Sequence, residues 1–501
     1  MFSMSIKSFV AKILARKTSQ RVAKESLNGI QHQQDWLRKL VSNARDTDFG
    51  KDHGFEDITS HEDFKKQVPI RDYEGLRPYV EKVLEGSRNV LWPGKPIYFA
   101  KTSGTTSGAK YIPITKDSIS NHIGSARNML LCYIHKKGNA DFLSGKLIFL
   151  QGSPVLTKKN GINLGRLSGI VAHHVPGYLQ KNRLPSWETN CMEDWEQKVD
   201  AVVGETLSQN MTLISGIPPW VQMYFDRLKE QTGKSIGDLF PNFHLLVHGG
   251  VNFSPYKAKL IESIGREVDI LETYPASEGF IAYQDNYKEE GLLLNVNSGI
   301  FFEFIPVNEF HNESPTRLGL AEVTIGENYA VILNSNAGLW GYSIGDTVKF
   351  ISLNPYKIVV TGRIKHFISA FGEHVIAQEV SDSLAEVSLK YDCSVLEFTV
   401  APQVTPDVGL PYHEWFIEFD KAPENKEAFA QDLDVLMQQK NSYYMDLVSG
   451  AILKPLMISE IQKDGFKNYM KTLGKLGGQN KVPKLSNDRK MADALGPWLK
   501  V

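Results

Sequence analysis

The chain has 501 residues, too many for one core, and a prior of roughly 150 residues per domain suggests about three units. With 42% hydrophobic and 23% charged residues and a net charge of −1, it has the composition of a globular protein, with no charge excess to draw it to nucleic acid or an anionic membrane. Three scattered cysteines, Cys132, Cys191 and Cys393, form no Cys-x-x-Cys pair, which excludes a disulfide framework or zinc site and fits a reducing, cytoplasmic setting.

No apolar run reaches the roughly 18 residues that a membrane helix needs. The basic N-terminus carries Phe2, Ile6, Val10, Ile13 and Leu14 at near-helical spacing. The pattern runs on into Trp36, Leu37, Leu40 and Val41, so it reads as a surface helix rather than a transit peptide. Residues 1–90 read as mostly helical. A short strand at 97–100 leads into Lys101-Thr-Ser-Gly-Thr-Thr-Ser-Gly-Ala-Lys110, and residues 111–114 leave it as an edge strand holding Pro113. A helix follows at 118–134.

From residue 146 the pattern is α/β. Strands are expected at 147–150, 213–216, 245–247 and 268–272, with helices at 195–207, 221–229 and 257–264. Glycine-marked loops separate them, as in a doubly wound sheet that binds ligands beyond the carboxyl ends of its strands. The stretch 152–187, rich in Gly, Pro and Asn, reads as a long, substrate-facing loop. Its His173-His174 pair has no third ligand at metal spacing and is not read as a metal site.

Between 291 and 361 the pattern becomes consecutive short strands, at 292–296, 300–305, 321–325, 329–334, 347–352 and 358–360. This predicts a separate antiparallel sheet or barrel. The last 140 residues or so read as a small α+β domain, with amphipathic helices marked by Ile376, Val380, Leu384 and Val387 and by Phe429, Leu433, Leu436 and Met437. The fold expected is α/β: an N-terminal domain of doubly wound sheets with a β-barrel-like subdomain (1–361, the subdomain about 291–361) and a small C-terminal α+β domain (362–501).

The 101–110 stretch is open to two readings. Its glycines and hydroxyls suit a polar turn. They also suit a phosphate loop: Gly104 and Gly108 allow close backbone approach, while Thr102, Ser103, Thr105, Thr106 and Ser107 offer hydroxyl donors. It is not a Walker loop, because three residues rather than four separate the glycines and Ala109 precedes Lys110. Other strand ends carry comparable groups. His248-Gly249-Gly250-Val251 can meet a flat ring edge-on. Tyr274-Pro-Ala-Ser277-Glu278 offers an aromatic face, a hydroxyl and a carboxylate for a hard cation. Gly341-Tyr-Ser-Ile-Gly-Asp346 sets a carboxylate beside a glycine turn, able to accept from both hydroxyls of a ribose. Gly362-Arg363-Ile-Lys365 lies at the domain junction.

In this order the segments resemble those of the adenylate-forming superfamily of acyl-CoA synthetases and luciferases. They are most similar to the Gretchen Hagen family of auxin-responsive acyl-acid amido synthetases, in its bacterial-type form. The motifs concerned are Thr102–Gly108, Tyr274–Glu278, Tyr342–Asp346, Gly362-Arg363 with Lys365, and the tail Gly474-Lys-Leu-Gly-Gly-Gln-Asn-Lys-Val-Pro-Lys484. The resemblance implies adenylation of a small carboxylic acid by ATP with Mg²⁺, then acyl transfer to an amino acid. It implies that Ser103, Thr105 and Thr106 hold the triphosphate, that Glu278 carries Mg²⁺ and that Tyr274 stacks on adenine beside His248–Val251. Asp346 would bind ribose, Arg363 would lie near the ribose or phosphate, and Lys481 would be the mobile basic residue. Two positions depart from the pattern: Ser343 stands where arginine is usual, suggesting a charge supplied from elsewhere such as Arg363, and Pro275 stands where a small residue is usual. A coenzyme A thioester ligase and a nucleotide-binding protein without turnover remain open as alternatives. A serine hydrolase on Ser277 does not, since Pro275 replaces the first glycine of the required elbow. The acid, the acceptor and the oligomeric state are not readable from the chain.

Overall fold

A computed structural model describes residues 6–103, 109–175, 177–192, 194–251, 253–364, 367–368, 375–406, 408–449, 452–474 and 481–500. The chain forms two compact units. The first comprises Met1–Gly250 and Gly265–Val359; the second comprises Val251–Ile264 and Val360–Val501. Helix Ser254–Ile264 therefore belongs with the C-terminal half, although chain on either side of it belongs to the first unit.

The first unit opens with helices Ile6–Leu27 and Gly29–Ala44, then shorter ones at His61–Gln67 and Tyr73–Leu84. Local chemistry fixes their starts. Ser60 and Asp63 form a reciprocal capping box, and the Asp72 side chain accepts from Gly75 N. A four-stranded sheet follows, ordered Ala109–Ile114, Tyr98–Ser103, Ile162–Gly165, Thr157–Lys159. Its last two strands lie inside the stretch expected to be a long loop. They form a two-residue hairpin over Asn160-Gly161, which have φ of 48° and 84°. An Asn-Gly pair accepts positive φ at both positions, so this signal was present in the sequence.

The main sheet has eleven strands. Lys146–Phe149, Met211–Gly216, Leu245–Gly249 and Asp269–Ala276 run parallel, as the α/β pattern predicted, and Arg183–Leu184, inside the stretch expected to be a loop, adds a fifth parallel strand at the edge. Helix Pro218–Thr232 is a typical crossover: prolines sit in its first turn, where no backbone donor is needed, and Gly233 at φ 67° ends it. The sheet then continues through Gly279–Tyr283, Leu292–Leu294, Tyr356–Arg363, Leu339–Leu353, Asn328–Ser335 and Ile300–Pro306.

This corrects the expectation of a separate antiparallel sheet or barrel. Chain reversal at Ser277-Glu278 lays Gly279–Tyr283 antiparallel against the last parallel strand, Gly279 opposite Ala276, and the later strands build on that edge. The change of pattern near 291 marks a change of connection, from helical crossover to hairpin, within one sheet. Residues 321–325, expected as a strand, make only an isolated bridge between Ile325 and Phe350.

The second unit has a three-stranded sheet ordered Ser394–Gln403, Tyr412–Lys421, Met457–Ile461, the first pair antiparallel and the second parallel. Helices Ala377–Lys390 and Lys426–Lys440 bury Val380, Leu384, Val387, Phe429, Leu433 and Met437 against Phe398, Val400, Trp415 and Ile417. The amphipathic spacing read from the sequence is thus the core face of an α+β unit.

Candidate active site

Three parallel strands of the first unit end together, with Gly216 opposite His248, and His248 and Gly249 opposite Glu272 and Thr273. The carbonyl of His248 accepts from Thr273 Oγ1 at 2.8 Å. A Cβ at position 249 would lie 2.3 Å from the Thr273 carbonyl oxygen, so only glycine fits there. Gly250, at φ 83°, then turns the chain away. His248 is 3% exposed, so this strand end offers a ligand mainly backbone.

In hydrogen-bonding order three strands separate Asp269–Ala276 from Leu339–Leu353. At about 4.8 Å per strand, a flat sheet would keep them about 19 Å apart. Tyr274 Oη nevertheless donates to Asp346 Oδ2 at 2.7 Å, and Tyr342 Oη donates to Glu278 Oε1 at 3.1 Å. The sheet curls, and the second and third motifs face one another. Glu278 sits in the two-residue turn beside the buried Ser277. Burial, then the adjacent Glu278 carboxylate, holds the Tyr342 phenol well above its ordinary range, so it stays a donor.

Thr102 and Ser103 end strand Tyr98–Ser103 and pair with Lys110 and Ala109. Gly104, Thr105, Thr106, Ser107 and Gly108 lie outside the described residues. The strand leaving the loop is anchored by a residue that sequence reasoning missed: Tyr73 Oη accepts from Tyr111 N at 3.0 Å, and the Lys110 ammonium lies 5.7 Å from the Tyr73 ring. The partnership of Tyr342 with Glu278 was also missed. No local signal reports either contact, because each joins positions far apart in the chain.

Ser343 stands where the third motif usually has arginine. Its amide donates to Arg71 O at 2.7 Å, and Arg71 N donates to Gly341 O at 2.8 Å, so Arg71 makes an isolated parallel bridge to Tyr342 beside the motif. The Arg71 guanidinium donates to His53 Nε2 at 2.7 Å and packs over Phe49. Burial keeps His53 below the usual imidazole range and therefore able to accept.

Val251, Arg363 and Lys481 belong to the second unit, where Arg363 and Lys481 are exposed; Lys365 lies outside the described residues. His173 and His174 face separate partners, the Pro154 carbonyl and the Tyr98 hydroxyl. Among the described residues no group of three or more His, Cys, Asp or Glu side chains could hold a metal. A carboxylate at Glu278 fits Mg²⁺ brought in on a nucleotide, because Mg²⁺ takes one or two carboxylates and fills its octahedron with phosphate oxygens and water.

Three family models match in order along the chain: the GH3 family N-terminal domain over residues 18–186, the central domain over 293–363 and the C-terminal domain over 376–490. The chain belongs to the GH3 family. GH3 relatives include a jasmonoyl–L-amino acid synthetase of Nicotiana attenuata, 23% identical over 63% of this chain and 66% of its own length. A jasmonoyl–L-amino acid synthetase of Oryza sativa subsp. japonica is 23% identical over 91% of this chain and 92% of its own. The fold matches that of the GH3.15 acyl acid amido synthetase at a TM-score of 0.78, with 15% identity and 96% of each chain covered. As a GH3 protein the chain is an adenylate-forming ligase: it activates a carboxylic acid with ATP and passes the acyl group to an amino acid. Among the described residues no helix is long and apolar enough to cross a membrane.

Proposed function

We propose that MgATP binds over the carboxyl ends of the parallel strands and that the curled edge of the sheet aligns it for attack by a small carboxylic acid. The pairing of Tyr274 with Asp346 and of Tyr342 with Glu278 carries this reading, because it brings an aromatic face and two oriented carboxylates to one end of the sheet. Tyr274 stacks on adenine, His248, Gly249, Gly250 and Val251 line its edge, and Asp346 accepts from the ribose. Glu278 holds Mg²⁺. Thr102, Ser103, Thr105, Thr106, Ser107 and the backbone of Gly104 and Gly108 receive the phosphates; Ser277 lines the same end. Arg363 and Lys481 come from the C-terminal domain (362–501), which turns about Lys365 relative to the adenylating domain (1–361) between half-reactions.

In the first half-reaction a carboxylate oxygen bonds to the α-phosphorus and pyrophosphate leaves with the broken P–O bond. In the second an amino acid nitrogen bonds to the acyl carbon, the C–O bond to AMP breaks and the amine releases its proton. The protein forms no covalent intermediate; it positions the reactants and stabilises developing charge. Lys481 supplies mobile positive charge at the α-phosphate. Three free cysteines support a cytoplasmic setting. Membership of the bacterial type within the family rests on the resemblance of the motifs alone.

The test is acid-dependent ATP–pyrophosphate exchange across aryl, indole and fatty carboxylic acids, followed by amino acids or coenzyme A added to the acid that works. The expected result is exchange that EDTA abolishes and amide release with an amino acid. Exchange without amide but with thioester would overturn the acceptor assignment. No exchange across the panel, with ATP still bound, would overturn the adenylation site.

A further inference from the structure

Within the second unit a buried ionic network joins three distant parts of the chain. The Lys484 ammonium donates to Tyr256 Oη at 2.8 Å and forms an ion pair with Glu397 Oε1. Only 11% of the Lys484 side chain and 16% of the Glu397 side chain is exposed. Tyr256 Oη also donates to Glu397 Oε2 at 3.3 Å, and Glu397 Oε1 accepts from Phe398 N at 2.9 Å. The ammonium lies 4.7 Å from the Phe398 ring and 5.1 Å from that of Tyr256. Burial alone would lower the Lys484 pKa, but Glu397 and Tyr256 more than offset it and raise it above the ordinary lysine value. A charge taken this far out of water persists only where its partners are fixed.

The backbone around Lys484 is held as well. Val400 N donates to Lys484 O at 3.0 Å, Ser486 N donates to Val400 O at 2.9 Å and Thr399 Oγ1 donates to Pro483 O at 2.7 Å. Leu485 bridges Val400 in parallel, and Val482 is buried with Ala401, Phe416 and Phe466. The segment 482–486 thus runs along the edge of Ser394–Gln403 with a single bridge at Leu485, and Lys481, exposed, is the residue just before it. Tyr256 stands on helix Ser254–Ile264, which follows the His248–Val251 loop within a few residues.

We propose that Lys484, Glu397 and Tyr256 form a positioning device: one buried network sets the backbone that carries Lys481 and fastens to it the helix continuing the adenine-edge loop. None of the three touches substrate. Lys484 acts through Lys481, and the functional part rests on the role given to Lys481 above. An apolar residue at 484 fills the space but leaves Glu397 buried without its cation, so the strand edge loosens where Lys481 begins.

The experiment is a double-mutant cycle on the full chain with Lys481→Ala and Lys484→Met, read as kcat and KM for ATP in pyrophosphate exchange. It is paired with hydrogen exchange over 481–486 and 254–264. The expected result is a loss of tenfold or more in kcat for either single variant, KM for ATP changed less than threefold, and a double variant no slower than Lys481→Ala. Exchange should quicken in both segments of Lys484→Met. Should that variant not fold, Tyr256→Phe, which keeps the ring and deletes the two hydrogen bonds of its hydroxyl but leaves the Lys484–Glu397 ion pair, is expected to give a smaller loss of the same kind. A Lys481→Ala variant with full activity overturns the role of Lys481 and the functional part of this device with it. A slow Lys481→Ala beside a fully active Lys484→Met with unchanged exchange overturns the device and leaves the role of Lys481 intact. Losses that multiply in the double variant show that Lys484 acts independently of Lys481, which also overturns the proposal.

Discussion

Two tyrosine hydroxyls donate to two carboxylates at the curled end of the sheet, and the consequence differs for each. Asp346 meets Tyr274 at 2.7 Å, while Glu278, in the hairpin turn, meets Tyr342 at 3.1 Å. On the role proposed for Glu278, a carboxylate that holds Mg²⁺ must be aimed, and the hydrogen bond from Tyr342 would do the aiming. Tyr342→Phe keeps the buried ring, which is 1% exposed, and deletes only that donor. The half-saturating Mg²⁺ concentration in pyrophosphate exchange is expected to rise about tenfold, the equivalent of the ~1.4 kcal/mol of one charge-assisted hydrogen bond. The melting temperature should fall by only a few degrees. An unchanged Mg²⁺ dependence would refute the aiming of Glu278 by Tyr342. The identity of these motif residues was legible in the sequence because glycines, a tyrosine and a carboxylate cluster at expected strand ends. Their pairing was not, since it depends on a curl summed over several strands.

At the scale of elements, one buried carboxylate ties together parts that sequence periodicity treats separately. Glu303, on strand Ile300–Pro306, is fully buried. It receives two hydrogen bonds from Arg317, at 2.9 and 2.8 Å, one from Asn334 at 2.9 Å and one from His61 at 2.8 Å. Those partners come from a loop, the neighbouring strand Asn328–Ser335 and helix His61–Gln67. Burial would raise the pKa of Glu303, yet His61 and Arg317 outweigh it and bring it down to about 2. Because the folded pKa lies below the unfolded value, the stabilisation is fully present above the ordinary carboxylate range and is lost as pH falls from about 4.5 toward 2. Thermal melts from pH 7 to pH 3 should show a falling melting temperature. Arg317→Met, which strands Glu303 without its cation, should already melt lower at pH 7 and lose less on acidification. A variant with the same acid slope as the parent would refute this assignment. The strand Ile300–Pro306 was legible from its composition, but its place in the large sheet was not. Nothing between 284 and 300 announces that the next strands extend an existing edge. The Asn160-Gly161 hairpin is the opposite case: the signal is local and strong, but the Gly-, Pro- and Asn-rich flanks were read as loop.

At the scale of the whole chain, the two units do not follow one cut through the sequence. Helix Ser254–Ile264 lies between Leu245–Gly249 and Asp269–Ala276, neighbouring strands of the main sheet, and has the length of an ordinary crossover helix. Sequence order therefore assigns it to the doubly wound domain. Its packing is otherwise: Tyr256 reaches Glu397 and Lys484, and the Lys259 ammonium pairs with Asp420 at 3.1 Å. A segment opens cooperatively with the elements that bury it rather than with its neighbours along the chain. In native-state hydrogen exchange under rising denaturant, the amides of Ser254–Ile264 should therefore share the opening free energy and denaturant slope of Ser394–Gln403. They should differ from Leu245–Gly249 and Asp269–Ala276, whose amides should follow the main sheet. Lys259→Met should lower the protection of Ser254–Ile264 and leave the flanking strands unchanged, since it removes the ion pair with Asp420 of the second unit. If the helix instead exchanged in step with the strands on either side of it, it would be an ordinary crossover of the first unit. The loop His248–Val251 would then end in the same unit where it begins, and nothing would link it to the backbone that carries Lys481.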